Sequence, residues 1–310
     1  MGEAKENKIH DLVIVGAGPA ALSAAIYTTR EDIETVLLEK GVTGGLAAVT
    51  DWVDNYPGFP KGISGLDLAE NLRQQAERFG AQITLGEVTN IVDKGNHKEL
   101  ETTDGLVRAR AVLIATGTDY KKIGVPGEQE YYARGVHYCA TCDGAFYRDK
   151  RLVVVGGGNS AVQEALFLTK FATHIDLLVR STLKASDVLI QELKKNSKIT
   201  VHLGVTTDEI VGEDKKVVKV IGTKAGKNIE FATDGVFVFV GLKPNTAFLQ
   251  KSAVKLDKIG FITSDEKLQT SMKGVFVAGD VRQGATMQIA SAVGEGATAA
   301  LRIREYLESR

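Results

Sequence analysis

Cys139 and Cys142 are the only cysteines in the 310-residue chain, and they sit in one Cys-Ala-Thr-Cys-Asp run. In a Cys-x-x-Cys turn two sulfurs can close a small ring, and local stabilisation of one thiolate lets the pair cycle between dithiol and disulfide. A structural zinc site uses the same spacing but needs two more ligands; five scattered histidines are a poor substitute for the missing cysteines. Asp143 follows at once and has two readings. A buried carboxyl there can shuttle a proton to or from a sulfur, provided its surroundings favour the protonated form. Equally, an aspartate before Gly144 can simply open a turn. His137, two residues before the first cysteine, reads as a bystander.

Two glycine-rich segments flank the dithiol. Gly16-Ala-Gly18-Pro-Ala-Ala21 follows an apolar run and opens a helical pattern, the context in which backbone N–H groups and a helix N-terminus receive a pyrophosphate. Glu39 ends the next strand, where a carboxylate accepts hydrogen bonds from ribose hydroxyls. Gly156-Gly-Gly158-Asn-Ser-Ala161 repeats the design, but Val179 stands 23 residues after Gly156, where Glu39 stands 23 after Gly16. Arg180 follows directly, with Lys184 nearby. These cations either receive the 2′-phosphate of NADP or are solvated strand-end charges. A dithiol between two dinucleotide sites suggests a route for electrons, in which a nicotinamide delivers a hydride, a flavin holds the pair and the sulfurs pass it on.

The elements that must position these groups alternate along the chain. Asp11 to Val15, Pro19 to Arg30 and Thr35 to Glu39 read as a βαβ unit; Arg151 to Val155, Ser160 to Lys170 and His174 to Val179 read as a second. Between them lie a helix near Leu66 to Phe79 and strands near Gln82 to Leu85, Val88 to Val92, Leu100 to Thr103 and Ala111 to Ala115. Later strands are expected at Val217 to Ile221, Gly235 to Val240 and Val275 to Ala278, before a small-residue helix from about Ile289 to Leu307. The fold class expected is α/β, with two Rossmann-like three-layer domains, the second inserted in the first. A discontinuous first domain would take 1–121 and 247–310, and the inserted domain with the dithiol 122–246. Crossings near Lys121 to Pro126 and Lys243 to Ala247 would act as hinges.

At 44% hydrophobic, the chain can bury a core in each domain without staples, and a net charge of −1 implies no broad attraction to nucleic acid or lipid. Two cysteines in so long a chain fit a reducing compartment. Met1 to His10 lacks the apolar stretch of a signal peptide, and no run approaches a membrane span, so a cytoplasmic protein is expected.

Tyr138-Cys139-Ala-Thr-Cys142-Asp143-Gly144, the Gly156 to Ala161 fingerprint, Ala115-Thr-Gly117, Gly241-Leu-Lys-Pro-Asn245 and Gly279-Asp280-Val281 together resemble the low-molecular-weight, bacterial-type thioredoxin reductases. The resemblance covers nearly the whole chain, and the Cys-Ala-Thr-Cys-Asp run is its most specific part. It implies that Cys142 faces the flavin, Cys139 exchanges with thioredoxin or a thioredoxin-like protein, and Asp143 is the acid/base. It implies FAD on Gly16, Gly18, Pro19, Ala20, Glu39 and Lys40, with Val88, Ala115, Thr116, Gly117 and Gly279 also contributing. Gly45, Leu46, Asn55, Met287, Gln288 and Ile289 would lie towards the flavin, and Asp280 at its ribityl or phosphate end. NADPH or NADH would take Gly156, Gly158, Asn159, Ser160, Arg180 and Lys184. A homodimer whose inserted domain rotates is implied as well.

The departures matter. The family's His-Arg-Arg-x-x-x-Arg here reads Val179-Arg180-Ser181-Thr182-Leu183-Lys184, which opens NADH, a ferredoxin- or flavodoxin-fed reductase, or a flavin-dependent dithiol oxidase as alternatives. Gly44-Gly45-Leu46 lacks the usual glutamine, Met287 replaces an arginine, and Ala145 replaces a frequent aromatic. A non-catalytic redox sensor is a further class, with no output module visible to support it.

Overall fold

The computed structural model describes residues 8–50 and 52–309. Of the N-terminal stretch, Met1 to Asn7 therefore lies outside the described residues. Two compact units divide the chain, Met1–Asp119 with Lys243–Arg310, and Tyr120–Leu242.

The first unit begins with β1 (Ile9–Val15), α1 (Pro19–Thr29), β2 (Thr35–Glu39), a short α2 (Gly45–Ala48), α3 (Gly65–Arg78) and β3 (Gln82–Leu85). A hairpin of β4 (Val88–Asp93) and β5 (Lys98–Thr102) then leads into β6 (Gly105–Ile114). β1 lies between the parallel strands β2 and β6, and Leu12, Val13 and Ile14 are fully buried because both faces are covered: Leu12 and Ile14 pack in one cluster with residues of α1 and α7, Val13 in another with Val88 and Val254. Burial on both faces suits continuous apolar runs over alternation.

The chain leaves through β7 (Thr118–Tyr120) into the second unit, which holds β8 (Val136–His137), α4 (Ala140–Asp143), β9 (Arg151–Val155), α5 (Asn159–Leu168), β10 (His174–Val179), α6 (Asp187–Lys195) and β11 (Ile199–Leu203). Next come β12 (Val205–Glu213), β13 (Lys216–Lys224) and β14 (Lys227–Ala232), an antiparallel meander, and then β15 (Gly235–Val238). Return is through β16 (Leu242–Pro244), paired with β7, to β17 (Val275–Val277) and α7 (Ile289–Glu308).

In the first sheet the order is β3-β2-β1-β6-β5-β4, with β17 parallel to the second half of β6; in the second it is β11-β10-β9-β15-β8. Both contain the doubly-wound order in which the chain reverses beside its first strand, and ligands of such sheets bind outside the carboxyl ends of the strands at that point. The antiparallel β4–β5–β6 edge makes the first sheet mixed, not purely parallel as the βαβ reading suggests. Most of the meander and α6 were not expected: β12 carries Thr206, Thr207, Asp208 and Glu209, and a solvated sheet leaves a weak apolar signal.

The small residues of α7 have a structural use within the first unit. A Cβ on Gly296 would come within 2.1 Å of the Ala20 carbonyl oxygen, so the glycine lets α7 lie against α1. Ser23 Oγ also donates to the Val293 carbonyl at 2.8 Å. This packing holds α1, and with it the first glycine turn, against the sheet. Among the described residues, no helix is long and apolar enough to cross a membrane.

Candidate active site

Strand β8 delivers the dithiol. Cys139 lies just past its carboxyl end and caps α4, with the Cys142 N–H donating to Cys139 Sγ at 3.2 Å. The two cysteines form a disulfide with Cα atoms 5.3 Å apart. Once the bond opens, an N–H aimed at the Cys139 sulfur favours negative charge there. Both cysteines are partly exposed, as exchange with another protein requires.

Asp143 is half-buried, its backbone N–H bonded to the Cys139 carbonyl at 3.1 Å. The turn reading does not hold in its simple form: Gly144 has φ −59°, so the chain passes from α4 into a 3-10 turn at Gly144–Tyr147. Gly144 is needed for space, since a Cβ would meet Leu168 of α5 at 2.8 Å. His137 is not a bystander. It is buried, with Nδ1 3.2 Å from Asp143 Oδ2 and Nε2 2.7 Å from the Tyr147 hydroxyl. No spacing rule flags these three residues, because they meet across a strand end and two short helices. Burial, reinforced by the Asp143 and Asp234 charges, pushes the Tyr147 phenol well above its usual range and keeps it a donor. Tyr138 donates to Glu128 at 2.8 Å, and that carboxylate also receives the Ile123 and Gly124 N–H groups. The strand that feeds the dithiol is thereby tied to the segment just after β7.

The second fingerprint turns at the carboxyl end of β9. Gly156 has φ +146°, and a Cβ would lie 2.4 Å from the Phe239 carbonyl oxygen, whereas around Gly158 there is open space. Ser160 is exposed on the first turn of α5, and Asn159 is occupied in accepting the Ser186 N–H at 2.8 Å. Past β10, Arg180 and Lys184 are exposed, and the Lys184 N–H closes onto the Gly157 carbonyl at 2.6 Å.

In the first unit, Gly16, Gly18, Pro19 and Ala20 form the β1-to-α1 turn. Glu39 Oε2 accepts the Ala17 N–H at 2.7 Å and Oε1 the Gly41 N–H at 2.8 Å, which fixes the carboxylate beside that turn. Gly16 has φ +102°, and its Cβ would meet the Ala115 oxygen at 2.6 Å; Gly45 and Gly279 likewise approach Gly18 and Ala20. Thr116 and Gly117 follow β6, Thr116 Oγ1 donating to the Asn245 carbonyl at 2.8 Å. Asn55 Nδ2 donates to Gln288 Oε1 at 3.1 Å, joining two expected residues 233 positions apart. Leu46, Met287 and Ile289 are half-buried. Lys40 is exposed and faces Glu87 at 3.7 Å. The Val88 side chain is packed in the core with Val36 and Leu38, so only its backbone is free to meet a ligand. Asp280 follows β17, and burial, aided by the Glu295 charge, pushes its carboxyl up to about 6. Glu295, which sequence reading passed over, accepts the Gly279 N–H at 2.9 Å and pairs with Arg282 at 2.5 Å.

Residues 10–296 match the model of the family described as pyridine nucleotide-disulphide oxidoreductase. The chain belongs to that family. It is 40% identical over 306 residues to a Bacillus subtilis protein named thioredoxin reductase, covering 98% of this chain and 96% of that one. A thioredoxin reductase structure from Streptococcus pyogenes is 40% identical with a TM-score of 0.93, covering 98% of this chain and all of that one. One from Giardia duodenalis is 32% identical with a TM-score of 0.92, covering 97% of this chain and 100% of its own.

The chain is therefore an oxidoreductase, and membership of this family of pyridine nucleotide-disulphide oxidoreductases implies flavin and nicotinamide cofactors. The residues present fit two dinucleotides: each glycine turn forces close backbone approach, leaves room at Gly18 and Gly158, and opens a helix N-terminus.

Proposed function

We propose that the chain reduces the disulfide of thioredoxin or a thioredoxin-like protein, with FAD held by the first unit and NADPH or NADH by the second. The observation that carries this reading is the Cys139–Cys142 disulfide at the carboxyl edge of the same parallel sheet that carries the second fingerprint. When bound, the flavin would supply two-electron chemistry, taking a hydride from the nicotinamide and passing the electron pair to sulfur. The net reaction consumes NAD(P)H, one proton and a disulfide, and yields NAD(P)⁺ and two thiols.

The chain's own residues divide the work. Glu39, fixed on Ala17 and Gly41, receives the adenosine ribose, while the N-terminus of α1 faces the pyrophosphate. Asn55 and Gln288, bonded to each other, orient the ring end. Cys142 exchanges electrons with the flavin, and Cys139, whose sulfur accepts the Cys142 N–H, attacks the partner disulfide. Asp143 holds the proton that a departing sulfur needs. Arg180 and Lys184 receive the 2′-phosphate of NADPH. We further assign the functional domains to 1–121 with 247–310 and to 122–246, a homodimeric assembly, and a reducing, cytoplasmic setting.

The run Val179 to Lys184 favours a second reading, since it keeps two cations where relatives of the resembled family have three. A ferredoxin- or flavodoxin-fed reductase, or a dithiol oxidase, would retain the dithiol and lose the nicotinamide. Anaerobic stopped-flow mixing with NADPH and with NADH separates them: flavin bleaching within milliseconds to seconds, followed by thioredoxin reduction, is expected. Bleaching by neither nicotinamide would overturn the donor assignment, and inert thiols towards the reduced flavin would overturn the reading entirely.

A further inference from the structure

The imidazole of His137 packs against two aromatic rings and two polar groups. It stacks on Phe237 with ring centroids 5.2 Å apart and meets the edge of Tyr147 at 5.3 Å, and Tyr147 itself packs edge-on against Phe237. The residue is 7% exposed. Each ring nitrogen has one polar neighbour, Nε2 the Tyr147 hydroxyl and Nδ1 the Asp143 carboxylate. Among the described residues, the ring's hydrogen bond and ion pair are with these two groups; Asp234 acts on Tyr147, and Tyr132 feels the Asp143 charge.

We propose that His137 is a positioning residue for Asp143, locked by Tyr147 into the tautomer that carries its proton on Nδ1. In this arrangement the phenol, which stays protonated, donates its O–H to Nε2. A neutral imidazole that accepts at Nε2 must then present N–H at Nδ1, towards the carboxylate. That N–H holds the carboxyl in one orientation, as partners behind a functional group do in metal and acid/base sites. Walled in by Phe237 and Tyr147, the ring cannot turn over to offer carbon atoms instead. The inference rests on the reading that Asp143 exchanges a proton with the dithiol: one proton moves from the carboxyl to a thiolate sulfur, leaving a carboxylate and a thiol.

Two measurements test it. The ¹⁵N spectrum of histidine-labelled, flavin-loaded enzyme reports the tautomer directly, with the His137 signals assigned by their loss in His137→Asn. Protonated Nδ1 and unprotonated Nε2 are expected; the opposite tautomer would overturn the proposal whatever the activity. The second is the split between kcat and KM for thioredoxin in variants. An asparagine places its amide N–H where Nδ1 stood, and glutamine reaches only towards Nε2. The kcat should therefore stay within about twofold in His137→Asn and fall about 10-fold, with KM unchanged, in His137→Gln and His137→Phe. Tyr147→Phe, which keeps the ring packing, should lower kcat by less. Equal losses in the asparagine and glutamine variants would sink the idea. If the unmutated enzyme fails to reduce thioredoxin at all, it is the underlying reading that fails, and the spectrum still decides the tautomer.

Discussion

The two units close their glycine turns with the same backbone bonds. Gly16 donates to the Leu38 carbonyl as Gly156 does to Leu178; Ala115 donates to Val15 as Phe239 does to Val155; Gly44 donates to Ala17 as Lys184 does to Gly157. In each, a Cβ on the first glycine would strike the carbonyl at the end of the neighbouring strand, Ala115 in one case and Phe239 in the other. The units part company at the end of their second strand. Glu39 puts a carboxylate on its turn, whereas Val179 is buried, and its side chain would lie 2.7 Å from any Cβ at Gly157. The shared backbone thus leaves the same open turn in both units, and a single side chain decides what lies beside it: a carboxylate fixed on the turn, or apolar packing followed by the cations Arg180 and Lys184.

If that equivalence is sound, Gly16→Ala and Gly156→Ala should each cost about 3 kcal/mol, through strain at positive φ and a clash with backbone, as read by chemical unfolding of the flavin-free protein. Very unequal losses would break the comparison at its root. Asp280 has no counterpart in the second unit. Its carboxyl is raised from 3.8 to about 6 in the folded chain, so the native state binds the extra proton between those values. Stability of flavin-free protein should fall as pH rises through that window, and Asp280→Asn should recover on the order of 2 kcal/mol at pH 7 while weakening flavin retention. Denaturant midpoints at pH 4 and 7 that move together in both proteins would contradict this.

A smaller effect is expected at the strand ends. Glu39→Gln should loosen flavin roughly 10-fold, and Arg180→Ala should raise the KM for NADPH about 10-fold with little change for NADH, each reflecting one charge-assisted contact. Equal effects on both nicotinamides would make Arg180 a solvated charge. The smallest difference lies at the helices after each second strand. Ser64 caps α3 by accepting the Asp67 N–H at 3.0 Å, whereas Ser186 at the start of α6 makes no side-chain cap. Ser64→Ala should cost ~1 kcal/mol and Ser186→Ala under ~0.5 kcal/mol, read from thermal or denaturant unfolding.

Much of this was legible in the chain because the signals are local. A glycine that needs positive φ, an apolar run buried on both faces and an acid at a strand end all declare themselves within one βαβ unit, as Gly16, Leu12 to Val15 and Glu39 do. Elements with solvated faces did not: β12 and β14 present too few apolar residues to stand out, and α6 is short. Nor did Val88, whose type says nothing of whether side chain or backbone faces a ligand.

By itself, then, the order of residues determined the α/β class, the two dinucleotide turns and a redox dithiol, since each rests on neighbours within a few positions of one another. Only the tertiary structure decided that Asn55 would bond Gln288, that Glu295 would brace Gly279 and Arg282, and that His137 would stand between Asp143 and Tyr147. The physical reason is distance along the chain: hydrogen bonds and ring contacts depend on side-chain placement to within half an ångström, and that placement is set by how strands, helices and caps pack, not by the spacing of letters.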